Sequence, residues 1–242
     1  MPEKTSKKPK IVAIFIAITA VLAVLIFLAL SSSKPITSLS ELKTDLESVT
    51  LDITFGNYCS VNKTYEIDFK KHDSLVTQED ASESTYFSKR YFLGSKENAV
   101  YQKYLSNSWQ KIETNEGFTL PDAIVKQILE SLKDSESEKT NGEGGSLIFD
   151  VKEVKDAETV YASVNGLVGF GNNWGAKNFK SITAKAYLKS SGNIEKIVFY
   201  PVGIVEKTEW DAFDAISECE EVIFTFSNIN RTKVEYQEVL SL

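Results

Sequence analysis

The chain has 242 residues, a net charge of −7 and 42% hydrophobic residues. That acidic balance argues against nucleic-acid binding, which needs a basic face against phosphate. One histidine and two cysteines, without ligand spacing, argue against a zinc site.

The first feature in chain order is Ile11–Leu30, an uncharged run without Gly or Pro. As a helix it is roughly 30 Å long, the thickness of a bilayer's hydrocarbon core. Lys4, Lys7, Lys8 and Lys10 precede it, opposed only by Glu3, so the positive-inside rule keeps residues 1–10 cytoplasmic. The reading is a basic tail, a transmembrane helix over 11–30, a linker over 31–37 and an extracytoplasmic α+β domain over 38–242, in a cell membrane crossed once. A cleavable signal peptide is the alternative. The run exceeds the usual h-region, although Ala29-Leu30-Ser31 fits a small-x-small cleavage site. No cysteine ends the run to carry a lipid; the first is Cys59. Four lysines and Glu3 give the tail +3, which leaves about −10 for the exported part.

Ser38, with Glu41 three residues on, reads as a capping box, and Leu39, Leu42, Leu46 and Val49 recur at helical spacing. The period then becomes two: Thr50–Phe55 turns Leu51, Ile53 and Phe55 inward, and Thr64–Lys70 does so with Tyr65, Ile67 and Phe69. Lys71–Ser84 is polar and reads as loop, with a weak strand at Leu75–Thr77. Thr85–Leu93, Asn98–Leu105 and Trp109–Ile112 continue an antiparallel meander. Pro121 opens a helix to Leu132, capped by Thr119 and carrying Ala123, Ile124, Ile128 and Leu129 on its apolar face. Lys133–Gly145 reads as a solvated loop. Strands resume at Leu147–Val154, Glu158–Val164, Ser181–Leu188, Ile194–Tyr200 and Val202–Lys207, with a hairpin turn at Ser190–Asn193. A helical turn is expected at Glu209–Ser217, then strands at Glu220–Phe226 and Thr232–Leu240.

Catalytic signals are weak. His72, the one histidine, lies in Lys-Lys-His-Asp and reads as a solvated loop residue rather than the base of a triad. Asn165–Gly175 contains Gly-x-Gly but lacks Gly-Lys-Ser/Thr and a following helix, so it is no phosphate cradle. Its Leu167, Phe170 and Trp174, with Phe179 beyond, form either a contact patch, the lid of an apolar cavity, or a plug for one end of the sheet. Asp211, Asp214, Glu218, Glu220 and Glu221 read as an acidic surface rather than a glycosidase pair. Cys59 and Cys219 are the disulfide candidates outside the cytoplasm; an unstrained bridge over so long a loop adds about 5 kcal/mol. Two buried thiols are the other reading.

Three stretches carry a family resemblance. Ala99-Val100-Tyr101-Gln102-Lys103 followed by Asn107-Ser108-Trp109-Gln110-Lys111 is similar to a hairpin of bacterial proteins with the LolA-like or LppX-like lipoprotein-carrier fold. Tyr187–Ile197, with its Ser-Ser-Gly-Asn turn, resembles another of their hairpins, and Val222–Val239 their closing segment. The resemblance covers roughly residues 38–242. It implies a strongly curved antiparallel sheet, a half-barrel, with helices on its concave face and apolar space between them for an acyl chain. The anchor and the missing lipid-modified cysteine depart from that pattern and count against shuttling between membranes. The expectation is a non-enzymatic envelope protein without cofactor or metal, binding a lipid-like or other apolar ligand, or a protein partner, through Ile124, Ile128, Leu167, Phe170, Trp174 and Phe179. The alternative is an anchored assembly module of a secretion or conjugation apparatus with a nuclear-transport-factor-like domain.

Overall fold

A computed structural model of the protein describes residues 18–19, 21–22, 35–55, 62–78, 87–96, 99–104, 109–112, 119–142, 146–168, 179–203 and 220–235. The chain divides into two compact units, Met1–Pro35 and Ile36–Leu242. In the first, Ile18, Thr19, Val21 and Leu22 are helical and exposed. Among the described residues no helix is long and apolar enough to cross a membrane. The transmembrane helix expected over 11–30 is therefore not supported by any described helix, and most of that run lies outside the described residues.

The second unit begins with the expected capping box. Ser38 Oγ accepts from Ser40 N at 3.2 Å, and the Glu41 carboxylate accepts from Thr37 N at 2.8 Å and Ser38 N at 3.3 Å. The Thr37 amide is the largest of the contacts that hold the Glu41 carboxyl below its ordinary range. Only one 3₁₀ turn follows, Leu39–Glu41, not the helix expected through Val49. Leu42 and Leu46 still plug the core, but Val49 already belongs to a strand, where Val49, Leu51 and Ile53 alternate inward.

Six strands then form a meander: β1 (Ser48–Phe55), β2 (Lys63–Asp68), β3 (Asp73–Gln78), β4 (Phe87–Leu93), β5 (Ala99–Tyr104) and β6 (Trp109–Ile112). Helix α1 (Pro121–Lys133) leads to β7 (Glu136–Asn141) and β8 (Leu147–Glu153). Helix α2 (Ala157–Val168) leads to β9 (Phe179–Leu188), β10 (Ile194–Gly203) and β11 (Val222–Ser227). All neighbours pair antiparallel in one sheet ordered β6-β5-β4-β3-β2-β1-β11-β10-β9-β8-β7. The first and last strands of the sheet in sequence, β1 and β11, meet at its centre. Its outermost strands, β6 and β7, do not pair with each other, so the sheet is open. This replaces the expected transmembrane helix plus half-barrel: the architecture is one large open antiparallel sheet with two α-helices among the described residues of this unit.

Helix α1 begins as its sequence predicts, with Pro121 and Asp122 in the first turn and Lys133 in the last, each suited to its end of the helix dipole. Its N-cap is Leu120, with no side-chain cap, so Thr119 does not have that role. Ile124, Val125, Ile128, Leu129 and Leu132 are buried. The expected loop after it contains an edge strand, β7, whose sequence ESEKTN is polar because β8 is its one neighbour. Glu158–Val164, expected as a strand, lies in α2. Val160, Tyr161, Val164, Leu167 and Val168 are all buried, at the i, i+1, i+4, i+7, i+8 spacing of a helix. Pro201 does not divide β10, because the β11 pairing ends at Phe199 and the missing N–H removes no bond from that ladder. The hairpin at Ser190–Asn193 is as expected: Lys189 N donates to Asn193 O at 2.9 Å, and Gly192 takes φ 83°. Residues 232–235 are not a strand, and the helical turn expected at Glu209–Ser217 lies outside the described residues.

Both helices contact the sheet, α1 at β2 and β3 and α2 at β9, and they contact each other. The opposite face carries a smaller cluster of Leu75, Tyr91, Leu93 and Val234, with Tyr101 and Trp109 packed against it. The Tyr91 hydroxyl donates to the Glu235 carbonyl at 2.6 Å, which ties the segment after β11 to that face.

Candidate functional site

The residues expected to line an apolar cavity separate into four groups. Ile128 and Leu167 are each 1% exposed and belong to the continuous core, so their part of the space between helix and sheet is filled by side chains. Phe179 is half-buried at the start of β9, with its ring 5.4 Å from Tyr161 in an edge-to-face contact. Phe170 and Trp174 lie outside the described residues, as do the disulfide candidates Cys59 and Cys219.

Ile124 is placed differently. It is buried on its sheet side, yet it also lines a cleft of about 290 Å³ between α1 and α2. Ile124 and Ala162 supply its apolar surface, Thr119, Thr159 and Ser163 its hydroxyls, Gln127 an amide and Glu158 a carboxylate. A water occupies about 30 Å³ of liquid, so the cleft holds a group of roughly ten non-hydrogen atoms. That is too small for a whole acyl chain and suits a short amphipathic group.

Near the start of α1, His72 Nδ1–H donates to Asp122 Oδ2 at 2.6 Å. His72 takes φ 59° in the turn between β2 and β3, and its side chain is 64% exposed while that of Asp122 is 5% exposed. Gly94 makes this turn possible: a Cβ there would lie 2.6 Å from both the His72 Cβ and its carbonyl oxygen. An acid-oriented histidine supplies two of the three members of a nucleophilic triad. No hydroxyl or thiol among the described residues is hydrogen-bonded to this ring, and the pair acts as a clasp between turn and helix. No group of three or more His, Cys, Asp or Glu among the described residues is placed to hold a metal ion.

The least expected feature is a polar row on the core face of β2–β5. Lys63 on β2 lies directly opposite Gln78 on β3, and Arg90 on β4 directly opposite Gln102 on β5. Arg90 also faces Val76, two residues from Gln78, so all four share one face and Gln78 is diagonal to Arg90. Lys63 is 2% exposed, Gln78 5% and Gln102 4%. The Lys63 ammonium donates to Val168 O at 2.5 Å, and the Tyr65 hydroxyl donates to Leu167 O at 2.7 Å. The strand thereby caps the carbonyl end of α2, where a cation is favoured by the helix dipole. Burial, and then the Arg90 guanidinium, push the Lys63 ammonium down to about 7. Burial raises the Tyr65 hydroxyl. Arg90 Nε donates to Gln102 Oε1 at 3.0 Å, a second bond runs from Nη2 to the same oxygen, and the guanidinium lies 5.9 Å from the Phe92 ring centroid. Both side-chain atoms of Gln78 and the Oδ1 of Asn165 are buried without a hydrogen-bond partner.

Sequence reading began the second strand at Thr64 and so missed Lys63, although extending the Tyr65, Ile67 alternation back by one step turns Lys63 inward. Gln78, Arg90 and Gln102 carried no motif and become a set only through the register. No protein-family model matches this chain, and no curated protein matches it either.

Proposed function

We propose that this protein is a non-enzymatic binding module working outside the cytoplasm, with the cleft between α1 and α2 as its contact site for a short amphipathic group. The group belongs to a lipid-like ligand or to a protein partner. The single observation that carries this reading is the cleft itself: about 290 Å³, concave, with an apolar floor and convergent polar groups. The core positions of Ile128 and Leu167 argue against a deep acyl tunnel between α1 and the sheet at those residues. The location rests on the apolar run at 11–30 and the lysines before it, which address the chain to a membrane.

Native mass spectrometry of the full chain from its own envelope, with and without Ala162→Trp, tests the cleft. A small species or partner retained by the unmodified chain and lost from the folded variant supports the proposal. Equal retention by both counts against the site. The same filled interior also favours the assembly-module reading, in which function lies in subunit contacts. A mass that rises with concentration in sedimentation, unaffected by Ala162→Trp, would favour that second reading.

A further inference from the structure

We infer that the cleft between α1 and α2 recognises a primary alkylammonium group, a cation on an unbranched apolar stem such as a lysine side chain presents. Such recognition deepens the reading of the cleft as a contact site and rests on it. Among the described residues of the lining, the Glu158 carboxylate is the one formal charge; the rest are hydroxyls, an amide and two aliphatic side chains. Glu158 is exposed and makes no hydrogen bond or ion pair among the described residues. The whole chain carries a net charge of −7, so its long-range field also favours the approach of a cation.

A carboxylate in the first turn of a helix suits the helix dipole by itself. This one also borders a concave space, and the lysines closest to the lining in sequence are engaged elsewhere. Lys155, just before α2, reaches Asp134 at 2.8 Å. Lys126, beside Gln127, lies 4.0 Å from Glu130. Among the described residues no lysine or arginine lines the cleft, so nothing in it neutralises Glu158.

The lining sorts ligands by charge and by shape. An ammonium offers three N–H donors. One can meet the Glu158 carboxylate, and Thr159, Ser163 and Gln127 place further acceptor oxygens in the same lining. Ser163 Oγ donates to Gln127 Oε1 at 3.5 Å, which leaves the lone pairs of the hydroxyl oxygen for an incoming donor. Ile124 and Ala162 give the alkyl stem an apolar surface. A stem of about four carbons with its nitrogen fits easily within the space of roughly ten non-hydrogen atoms. A carboxylate or phosphate would meet Glu158 with like charge, and a neutral alcohol would forgo the ion pair.

The test is an NMR titration of the full chain at neutral pH with n-butylamine, n-butanol and butyrate, followed at the backbone amides of Thr159, Ala162 and Ser163. Saturable shifts are expected, with n-butylamine about three- to fivefold tighter than n-butanol, the worth of one solvent-exposed ion pair, and butyrate weakest. Glu158→Gln should erase the preference for the amine and leave n-butanol unchanged. Ala162→Trp should abolish the shifts from all three. If either variant does not fold, the ranking of the three ligands on the unmodified chain decides. Blocked lysine (Nα-acetyl-lysine methylamide) binding tighter than n-butylamine assigns the group to a protein partner, and the reverse assigns it to a free amine. Equal affinity for amine and alcohol, or a preference that survives Glu158→Gln, would overturn the inference; shifts still lost in Ala162→Trp would then leave the cleft a contact site for an uncharged group. No saturable shift with any of the ligands would overturn both the inference and the reading of the cleft.

Discussion

The two halves of the sheet's core face differ although they share one ladder and one layer of helices. Around β8–β11 the inward residues are apolar without a break: Phe149, Ala184, Ala186, Ile197, Phe199 and Phe224 are all buried, and Phe199 meets Phe224 edge-to-face at 5.2 Å. Across β1, at the same depth, β2–β5 turn Lys63, Ser74, Gln78, Arg90 and Gln102 inward. Burying an amide without a partner costs about 1–3 kcal/mol, so the second half does not owe its composition to stability. The apolar half fills the core, whereas the polar half holds the end of α2 through Lys63 and Tyr65 and leaves the Gln78 amide without a partner.

The largest effect should come from the apolar half. Phe224→Ala removes a ring that is 0% exposed and central to the face, and should cost about 3–5 kcal/mol in a urea titration. A cost below about 1 kcal/mol would mean that this half is not the main source of stability.

The polar half should instead show itself in pH dependence. Lys63 titrates near 7 when folded and at its ordinary 10.5 when unfolded. Between those values the unfolded chain binds the extra proton, so stability rises with pH above about 7. The contribution is complete above the unfolded value and is lost as the pH falls through the folded one. Its slope is at most about 1.4 kcal/mol per pH unit. Lys63→Met should flatten that slope in denaturant titrations run from neutral to moderately alkaline pH. Parallel profiles for the two proteins would show that Lys63 stays charged in the fold.

A smaller effect separates the cap on α2 from the rest of the row. Tyr65→Phe deletes only the hydroxyl that donates to Leu167 O, and should cost about 1 kcal/mol with no change in pH slope. If it changes the slope as strongly as Lys63→Met does, the cap and the ammonium are one coupled unit.

The legibility of the sequence followed the same division. Where one face is apolar and the other solvated, as in Thr50–Phe55 or Thr64–Lys70, period-two alternation located the strands to within a few residues. It failed where burial did not alternate. From Ser163 to Val168 every residue of α2 is buried, and a window ending at Val164 stopped before Leu167 and Val168 completed the helical spacing. It failed again at β7, where an edge strand is selected to be charged and so reads as loop. The fold class was partly legible: the antiparallel sheet was, while its open edges were not, since nothing local says whether outer strands meet. Of the candidate site, Ile124 was foreseen at the right helix but for a cavity on its sheet side. The polar row was not foreseen, because Lys63, Gln78, Arg90 and Gln102 are distributed over four strands and only pairing register makes them neighbours.

Gln78→Leu gives the smallest change in stability and the sharpest separation of the halves. In an apolar core, exchanging a side chain for one of similar size with different polarity is destabilising when it strands a partner. Here there is no partner to strand, because both amide atoms are without one. Leucine removes the desolvation cost and adds apolar burial beside Tyr65 and Val76, which face each other on the same strands. The expected result is therefore neutral to somewhat less than about 1 kcal/mol more stable in a urea titration. Opposite signs for Gln78→Leu and Phe224→Ala would show that the two halves of one face serve different ends. A loss of more than about 1 kcal/mol from Gln78→Leu would mean that the amide is satisfied within the fold itself, and the polar half would then be structural like its neighbour.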